Sequence, residues 1–257
     1  MSEPLDLDLV RTELSAGAPV AAWSLLWYPI LESTQEELKR QGAAGAPTGT
    51  VVLAETQTAG RGRRGREWRD RPGQDLLFSV LLEASSLPPN LVPVALGAAL
   101  ARAMAELTGA EVMAQWPNDL VMAGAKLAGL LVETAGGRYV AGLGVNVQGS
   151  AEAATERAGR AATTLEAAAG RSLRREPVLV ACLKALDAVR GWTPEQAAEA
   201  LAELDYLRGK RVAVAGSLGE QRGVADGIAP SGALRLQTEA ELVEVLVADA
   251  VKVEAQP

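Results

Sequence analysis

Gly60-Arg61-Gly62-Arg63-Arg64-Gly65-Arg66-Glu67-Trp68 is the stretch on which the fold turns. Its first six residues fit the G-x-G-x-x-G pattern of a dinucleotide-binding turn. That turn needs a helix straight after the loop and an acidic residue about twenty positions further on. Here Arg69-Asp70-Arg71-Pro72-Gly73 follows, and Pro72 and Gly73 would end any helix begun there. The loop therefore joins two strands, predicted at 50–55 and 76–83, and the dinucleotide fold is set aside. A G-x-x-x-x-G-K-[ST] run does not occur in the sequence, which also sets aside a P-loop enzyme.

The three glycines let the backbone turn tightly and come close to a ligand, while arginine brings fixed positive charge to the same place. Six arginines fall between residues 61 and 71. A bare cationic loop suits a phosphate better than a core. Trp68 adds a flat ring on which a base could stack. A solvated basic turn, or a segment that orders only around its ligand, are the other readings of the same residues. The chain as a whole carries a formal charge of −7, so the arginines are a local feature. They point to a small anionic ligand, not to a nucleic-acid surface.

The 257 residues allow one large domain with a small appendage, and an apolar content of 48% is ample for a core. There is no histidine, which excludes Ser-His-Asp and Cys-His chemistry and argues against a zinc site. A carboxylate nucleophile needs no imidazole, being ionised already at neutral pH. Cys182, the single cysteine, falls in an apolar helical run and reads as a buried thiol. No disulfide can form within the chain, which fits a reducing compartment. The N-terminal stretch carries Glu3, Asp6 and Asp8 without the regions of a signal peptide, and no apolar run is long enough to span a bilayer. A cytoplasmic protein is expected.

Residues 1–20 read as a helix and a loop. Ser33-Thr34-Gln35-Glu36 reads as a capping box opening a helix to about residue 41, followed by a loop over 42–49. A buried helix is predicted over 91–107, then antiparallel strands at 111–116, 119–122, 126–133 and 139–147. The pattern over 164–206 is helical again. After Arg208, short alternating runs with glycine turns suggest a small β-barrel packed on the larger unit.

Gln115-Trp116-Pro117-Asn118-Asp119 is either a plain turn or a carboxylate and amide held at a strand end. If 123–125 is the turn, Asp119 faces Gly129 across a hairpin, and the missing side chain makes room for a ligand beside the carboxylate. Lys126 then supplies a mobile cation. Ser33 and Thr34 are most simply helix caps, and Gly142-Leu143-Gly144-Val145-Asn146 a glycine-containing strand.

Together these segments resemble the bacterial biotin protein ligases (biotin–acetyl-CoA-carboxylase ligases). The likeness runs through Glu32-Ser33-Thr34, Glu55 to Arg66, Trp68, Trp116-Pro117-Asn118-Asp119, Lys126-Leu127-Ala128-Gly129 and Gly142 to Asn146, in order and in spacing. It implies an α+β catalytic domain with a mixed sheet and helices, of the class II aminoacyl-tRNA synthetase/biotin ligase type, followed by a small SH3-like barrel. The divisions expected are an N-terminal extension over 1–19, a catalytic domain over 20–207 and the barrel over 208–257. Some members carry an N-terminal DNA-binding domain for which this sequence has no room. The resemblance therefore implies the monofunctional type, with no DNA and no membrane partner.

The reaction so implied joins biotin to the α-phosphate of ATP with Mg²⁺. Biotin then passes to a lysine of the biotin carboxyl carrier protein of acetyl-CoA carboxylase. Arg63, Lys126 and Asp119 are the expected catalytic residues. Ser33, Thr34, Gln35, Gln57, Gly60, Arg61, Gly62, Arg63, Lys126, Gly129 and Leu131 are expected around biotin. Arg63, Arg64, Arg66, Trp68, Asn118, Lys126 and Asn146 are expected around ATP, with Trp68 stacked on adenine. No protein metal ligands are expected. Two positions depart from the family pattern: Gln115 stands where lysine is frequent, and Gln35 where asparagine is usual. Homodimerisation through a sheet edge stays open. The rivals are a lipoate ligase or octanoyltransferase of the same fold, and a nucleic-acid-binding module built on the arginine loop.

Overall fold

The structure, a computed structural model, describes residues 5–16, 23–158, 161–216 and 219–254. The expected division between residues 19 and 20 lies outside the described residues, as does Glu3. The first part of the chain forms α1 (Leu7–Ser15), β1 (Ser24–Leu31), α2 (Thr34–Ala43), β2 (Thr50–Gln57), β3 (Asp75–Leu82) and α3 (Val92–Thr108). Next come β4 (Met113–Gln115), β5 (Asp119–Met122), β6 (Ala125–Ala135) and β7 (Arg138–Asn146). Helices α4 (Ala151–Ala158), α5 (Leu165–Ala169), α6 (Arg175–Val189) and α7 (Pro194–Leu204) follow. Five short strands close the chain: β8 (Arg211–Gly216), β9 (Gly219–Ile228), β10 (Leu234–Gln237), β11 (Leu242–Val245) and β12 (Ala250–Val253).

The first seven strands form one mixed sheet in the order β1-β2-β3-β7-β6-β5-β4. Only β1 and β2 run parallel, linked through α2. β3 reads Asp-Leu-Leu-Phe-Ser-Val-Leu-Leu and is buried at every position, because helices cover one face and α2 the other. α3 is apolar and alanine-rich around most of its surface and packs between the sheet, α6 and α7. Its core joins Phe78, Leu100, Met104, Leu127 and Leu179, while Leu38, Val52, Leu81 and Val140 form a smaller cluster under α2. The last five strands form a separate antiparallel sheet in the order β11-β10-β9-β8-β12. It is seated on the first unit by Trp116 Nε1, which donates to the Gly232 carbonyl at 3.0 Å. This is the mixed sheet with helices plus small C-terminal β unit that the sequence led us to expect.

Several local expectations are corrected. β1 had no counterpart in the sequence reading. It is an edge strand interrupted by Pro29, with Trp27 and Ile30 turned outward, so neither a clean alternation nor a buried run marks it. α4, with its Ala-Glu-Ala-Ala-Thr-Glu sequence, has no apolar stripe to announce it. The strand expected over 111–116 shrinks to Met113–Gln115, and the helical stretch over 164–206 is three helices. The capping box at Ser33 does not form: Ser33 makes no side-chain cap bond, and α2 runs on to Ala43. The Gln57 side-chain oxygen accepts the Thr34 N–H at 2.8 Å instead, so a residue from β2 serves the helix end.

Cys182 is buried in α6, as expected, and burial pushes its thiol up to about 12. The native protein should resist iodoacetamide at pH 8 and be alkylated at Cys182 once unfolded in urea. Mass spectrometry of native and unfolded samples checks this. Alkylation at equal rates in both would refute the burial.

Candidate active site

A cleft of about 540 Å³ lies across the mixed sheet. It is reached from β2 through Gln57, from β3 through Ser79, from β7 through Gly142 and Gly144, and from β6 through Gly129 and Leu131. β2 and β6 are three strand spacings apart in the sheet order, which places their axes about 14 Å apart. The cleft is thus elongated across the strands, with different chemistry at its two ends.

At the β2 end the groups are neutral and hydrogen-bonding. Thr34 Oγ1 lies 3.2 Å from Gln57 Oε1 and 2.9 Å from Ser79 Oγ. Ser79 is fully buried and its hydroxyl donates to Gln35 Oε1 at 3.1 Å. Gln35 Nε2 donates to Val140 O and to Glu133 Oε2, each at 3.0 Å, so this amide ties α2 to β6 and β7. Ser33 is buried beside them and lines the cleft. A polar, uncharged ring with donors and acceptors would find partners here.

The other end is a hairpin. Ala123 and Gly124 both take positive φ (48° and 78°), giving a two-residue turn between β5 and β6. A bulge then slips the register so that Leu120 pairs with Ala128 and Val121 with Lys126, leaving Leu127 extra. The bulge sets Gly129, instead of Ala128, opposite Asp119. Asp119 and Lys126 consequently share the cleft face. Lys126 Nζ lies 2.7 Å from Asp119 Oδ1, with both side chains largely buried, so the expected mobile cation is a held one. It also sits 5.3 Å from the centre of the Trp68 ring, within cation–π range. A Cβ at Gly129 would come 2.9 Å from Trp68 Cζ3, and one at Gly144 would overlap the ring, so glycine at both positions lets the indole lie flat on β6 and β7. Trp68 Nε1 is buried without a hydrogen-bond partner. Trp68 is therefore seated on the sheet floor beside Lys126, ahead of any base.

The arginine loop roofs this end. Its neck is closed by Trp68 N to Gly60 O at 2.9 Å and Gly62 N to Arg66 O at 2.7 Å, around a single 3-10 turn at Arg63–Gly65. Arg64 adopts a left-handed backbone (φ 57°, ψ 38°), which costs a non-glycine residue roughly 1 kcal/mol. Arg63 Nη1 reaches Asn118 Oδ1 at 3.5 Å, and Asn118 Nδ2 donates to Leu130 O at 2.9 Å. Burial holds the Arg63 guanidinium below its ordinary range, with further lowering from the charges of Arg64 and Arg66 and a partial offset from Asp119. A cation kept at a disadvantage in this way gains when an anion arrives. Arg61 pairs with Glu36 at 3.0 Å, while Arg64 pairs with the Asp249 carboxylate and Arg66 donates to the Asp249 carbonyl.

Every expected site residue except Gly60 lines this one cleft: Ser33, Thr34, Gln35, Gln57, Arg61, Gly62, Arg63, Arg64, Arg66, Trp68, Asn118, Asp119, Lys126, Gly129, Leu131 and Asn146. Gly60 stands behind the lining, in the neck of the loop. Asn146 is more structural than expected, donating to Thr163 O at 3.0 Å and so fixing the 161–163 segment against β7. Sequence reasoning missed Ser79, whose signal was a lone hydroxyl within an otherwise apolar buried strand. It also missed Glu156 on α4 and the stretch from Ala248 to Val251 before and within β12, which no local pattern marks.

Comparison with known proteins agrees with this arrangement. Residues 27–150 match the biotin/lipoate A/B protein ligase family. The bifunctional ligase/repressor BirA of Bacillus subtilis is 30% identical over 181 residues, covering 66% of this chain and 55% of that protein. The biotin–[acetyl-CoA-carboxylase] ligase of Mycobacterium tuberculosis is 38% identical over 122 residues, covering 45% of this chain and 46% of that one. The chain thus spans about half the length of the curated relatives it matches. Among solved structures, the biotin protein ligase of Aquifex aeolicus in complex with biotin and ATP superposes with a TM-score of 0.79 at 28% identity, covering 90% of this chain and 99% of that one. Residues 27–150, which carry both ends of the cleft, are the stretch that is similar to the biotin/lipoate A/B protein ligase family.

Proposed function

We propose that the protein is an ATP-dependent biotin protein ligase. It forms biotinyl-5′-AMP and then passes biotin to a lysine of the biotin carboxyl carrier protein of acetyl-CoA carboxylase. The observation that carries this is the polarity of the cleft: a neutral hydrogen-bonding end at Ser33, Thr34 and Gln57, and a cationic end at Lys126 and Arg63. An elongated acid with a ureido ring at one end and a carboxylate at the other fits that polarity. Lipoate, whose ring is a disulfide, would leave the neutral end unused. Relatives named for acetyl-CoA carboxylase and a structural neighbour holding biotin and ATP support the choice.

In the first step a biotin carboxylate oxygen attacks the α-phosphorus of ATP and pyrophosphate leaves. Lys126 and Arg63 draw the two anions together and stabilise the charge that builds on the phosphoryl oxygens. Lys126 is held at 2.7 Å from Asp119, so the ammonium and the carboxylate meet the substrates at the same point of the cleft. In the second step the carrier lysine amine attacks the acyl carbon, AMP leaves, and Asp119 is placed to take the amine proton. Among the described residues no group of three or more carboxylate or thiol side chains could cage a metal. We assign Mg²⁺ to the triphosphate, whose charge it would neutralise. We take the catalytic part as 20–207 and the barrel as 208–257, acting in the cytoplasm without DNA. β1 is the exposed sheet edge at which two copies would pair.

Biotin-dependent exchange of labelled pyrophosphate into ATP tests the proposal. Exchange with lipoate and none with biotin would overturn it. Arg63→Ala should leave the fold unchanged and raise the release rate of biotinyl-5′-AMP by about tenfold, as for loss of a charge-assisted contact. Stopped-flow or filter-retention measurements check this, and unchanged retention would remove Arg63 from the adenylate site.

A further inference from the structure

The neutral end of the cleft holds two hydroxyls and two amides whose protons can be followed one by one. Gln35 Nε2 faces Val140 O and Glu133 Oε2, each at 3.0 Å. The first is a carbonyl and the second a carboxylate paired with Lys39 at 3.3 Å, so both only accept. That fixes the amide: Gln35 Oε1 faces Ser79 Oγ at 3.1 Å and receives its proton. The Ser79 proton is thereby spent, and the 2.9 Å contact between Ser79 Oγ and Thr34 Oγ1 takes the Thr34 proton. The reverse order, from Ser79 to Thr34 to Gln57, would leave the buried Gln35 carbonyl oxygen without a donor, which is costly. Gln57 Oε1 needs no hydroxyl, because Thr34 N–H already reaches it at 2.8 Å. Gly142 belongs to the same arrangement: a Cβ there would collide with Gln35 Oε1 and come 3.1 Å from Ser79 Oγ.

We propose that Ser79 is a positioning residue that sets the hydrogen-bond polarity of the ring site: ordered by Gln35, it draws the Thr34 proton inward and leaves the Thr34 oxygen facing the ligand as an acceptor only. Gln57 offers the opposite sense, since its Oε1 is taken by Thr34 N–H and its Nε2 has no partner among the described residues. An acceptor beside a donor matches a ring that carries N–H next to C=O, as a cyclic urea does. It opposes a ring with oxygen in the place of that N–H. This rests on the ligase reading above and places the cause of the urea preference one residue behind those that meet the ring.

Calorimetry without ATP compares biotin with its two cyclic-carbamate analogues, in each of which one ring N–H is replaced by oxygen. The parent should bind biotin about thirtyfold more tightly than the analogue whose oxygen meets Thr34. In Ser79→Ala the Thr34 hydroxyl can turn and donate, so that ratio should fall about tenfold. In the exchange assay S79A should raise half-saturation by biotin about fivefold and leave half-saturation by ATP unchanged. S79T keeps the hydroxyl and should restore the ratio. Gln35→Met removes the acceptor that orders Ser79 and should lower the ratio as S79A does, which reaches the same hydroxyl from its other side if a Ser79 variant fails to fold. A merely structural Ser79 would weaken biotin and both carbamates alike, and a ratio unchanged in S79A and Q35M would overturn the proposal. A parent that prefers the urea but exchanges no pyrophosphate would overturn the ligase reading alone.

Discussion

Lys126→Ala should slow formation of biotinyl-5′-AMP by roughly ten- to a hundredfold, the cost of removing a charged donor aimed at developing negative charge. The side chain is largely buried, is fixed at 2.7 Å to Asp119 and lies against Trp68, so its ammonium is pre-positioned. Pre-positioning matters because a cation that need not be gathered from solvent costs no reorganisation at the moment of reaction. The loss should appear mainly in the rate of the chemical step, because Ser33, Thr34 and Gln57 still hold the far end of the acid. Lys126→Arg keeps the charge, yet a planar fork cannot sit in the space set by Gly129 and Trp68 without moving the indole, so it should recover only part of the rate. Single-turnover adenylation with saturating biotin reads both variants. An alanine variant within threefold of the parent would shift the cation's role to Arg63.

Much of the site was legible because its chemistry comes from short, local segments. The arginine loop, Trp116 to Asp119 and Lys126 to Gly129 each announce themselves by residue types that a core would not choose. The pairing of Asp119 with Gly129 was anticipated, although by another route. The sequence suggested a three-residue turn, whereas the molecule uses the two-residue turn Ala123-Gly124 and makes up the difference with a bulge at Leu127. Hydrophobic pattern cannot separate these, since Leu127 and Ala128 are both buried and either fits the core side. What stayed hidden depends on contacts between distant segments. Gln57 in place of Ser33 serving the end of α2, Ser79 joining Thr34 to Gln35, and Asp249 meeting Arg64 all require the tertiary fold to be known first. β1 was hidden for the opposite reason: as an edge it has no need to bury what a buried strand would, and Pro29 masks what remains.

Arg175→Met should destabilise the protein by about 3 kcal/mol, as expected when one partner of a buried ion pair is removed. Arg175 opens α6 with its side chain only 6% exposed and grips Glu55 with both terminal nitrogens, Nη1 to Oε1 at 2.8 Å and Nη2 to Oε2 at 3.3 Å. Nη1 also donates to the Asp75 carbonyl at 3.3 Å, so one guanidinium ties a helix to both β2 and β3. The Asp75 carboxylate in turn accepts from Arg71 N at 2.8 Å and Arg71 Nη2 at 3.1 Å, where the chain leaves the arginine loop. The same cluster therefore supports Gln57, two residues beyond Glu55 on β2, and the exit of the loop that roofs the cleft. In R175M the Glu55 carboxylate keeps its burial and loses its bidentate partner, and the thermal midpoint should fall by roughly 6 to 12 °C. Replacing both residues, as in R175M with Glu55→Leu, removes the stranded charge and should recover most of that loss. Thermal and urea unfolding of the two variants separate a charge effect from a packing effect. A double variant no more stable than the single one would mean that the side-chain volume of Arg175, and not its pairing with Glu55, joins the helix layer to the sheet.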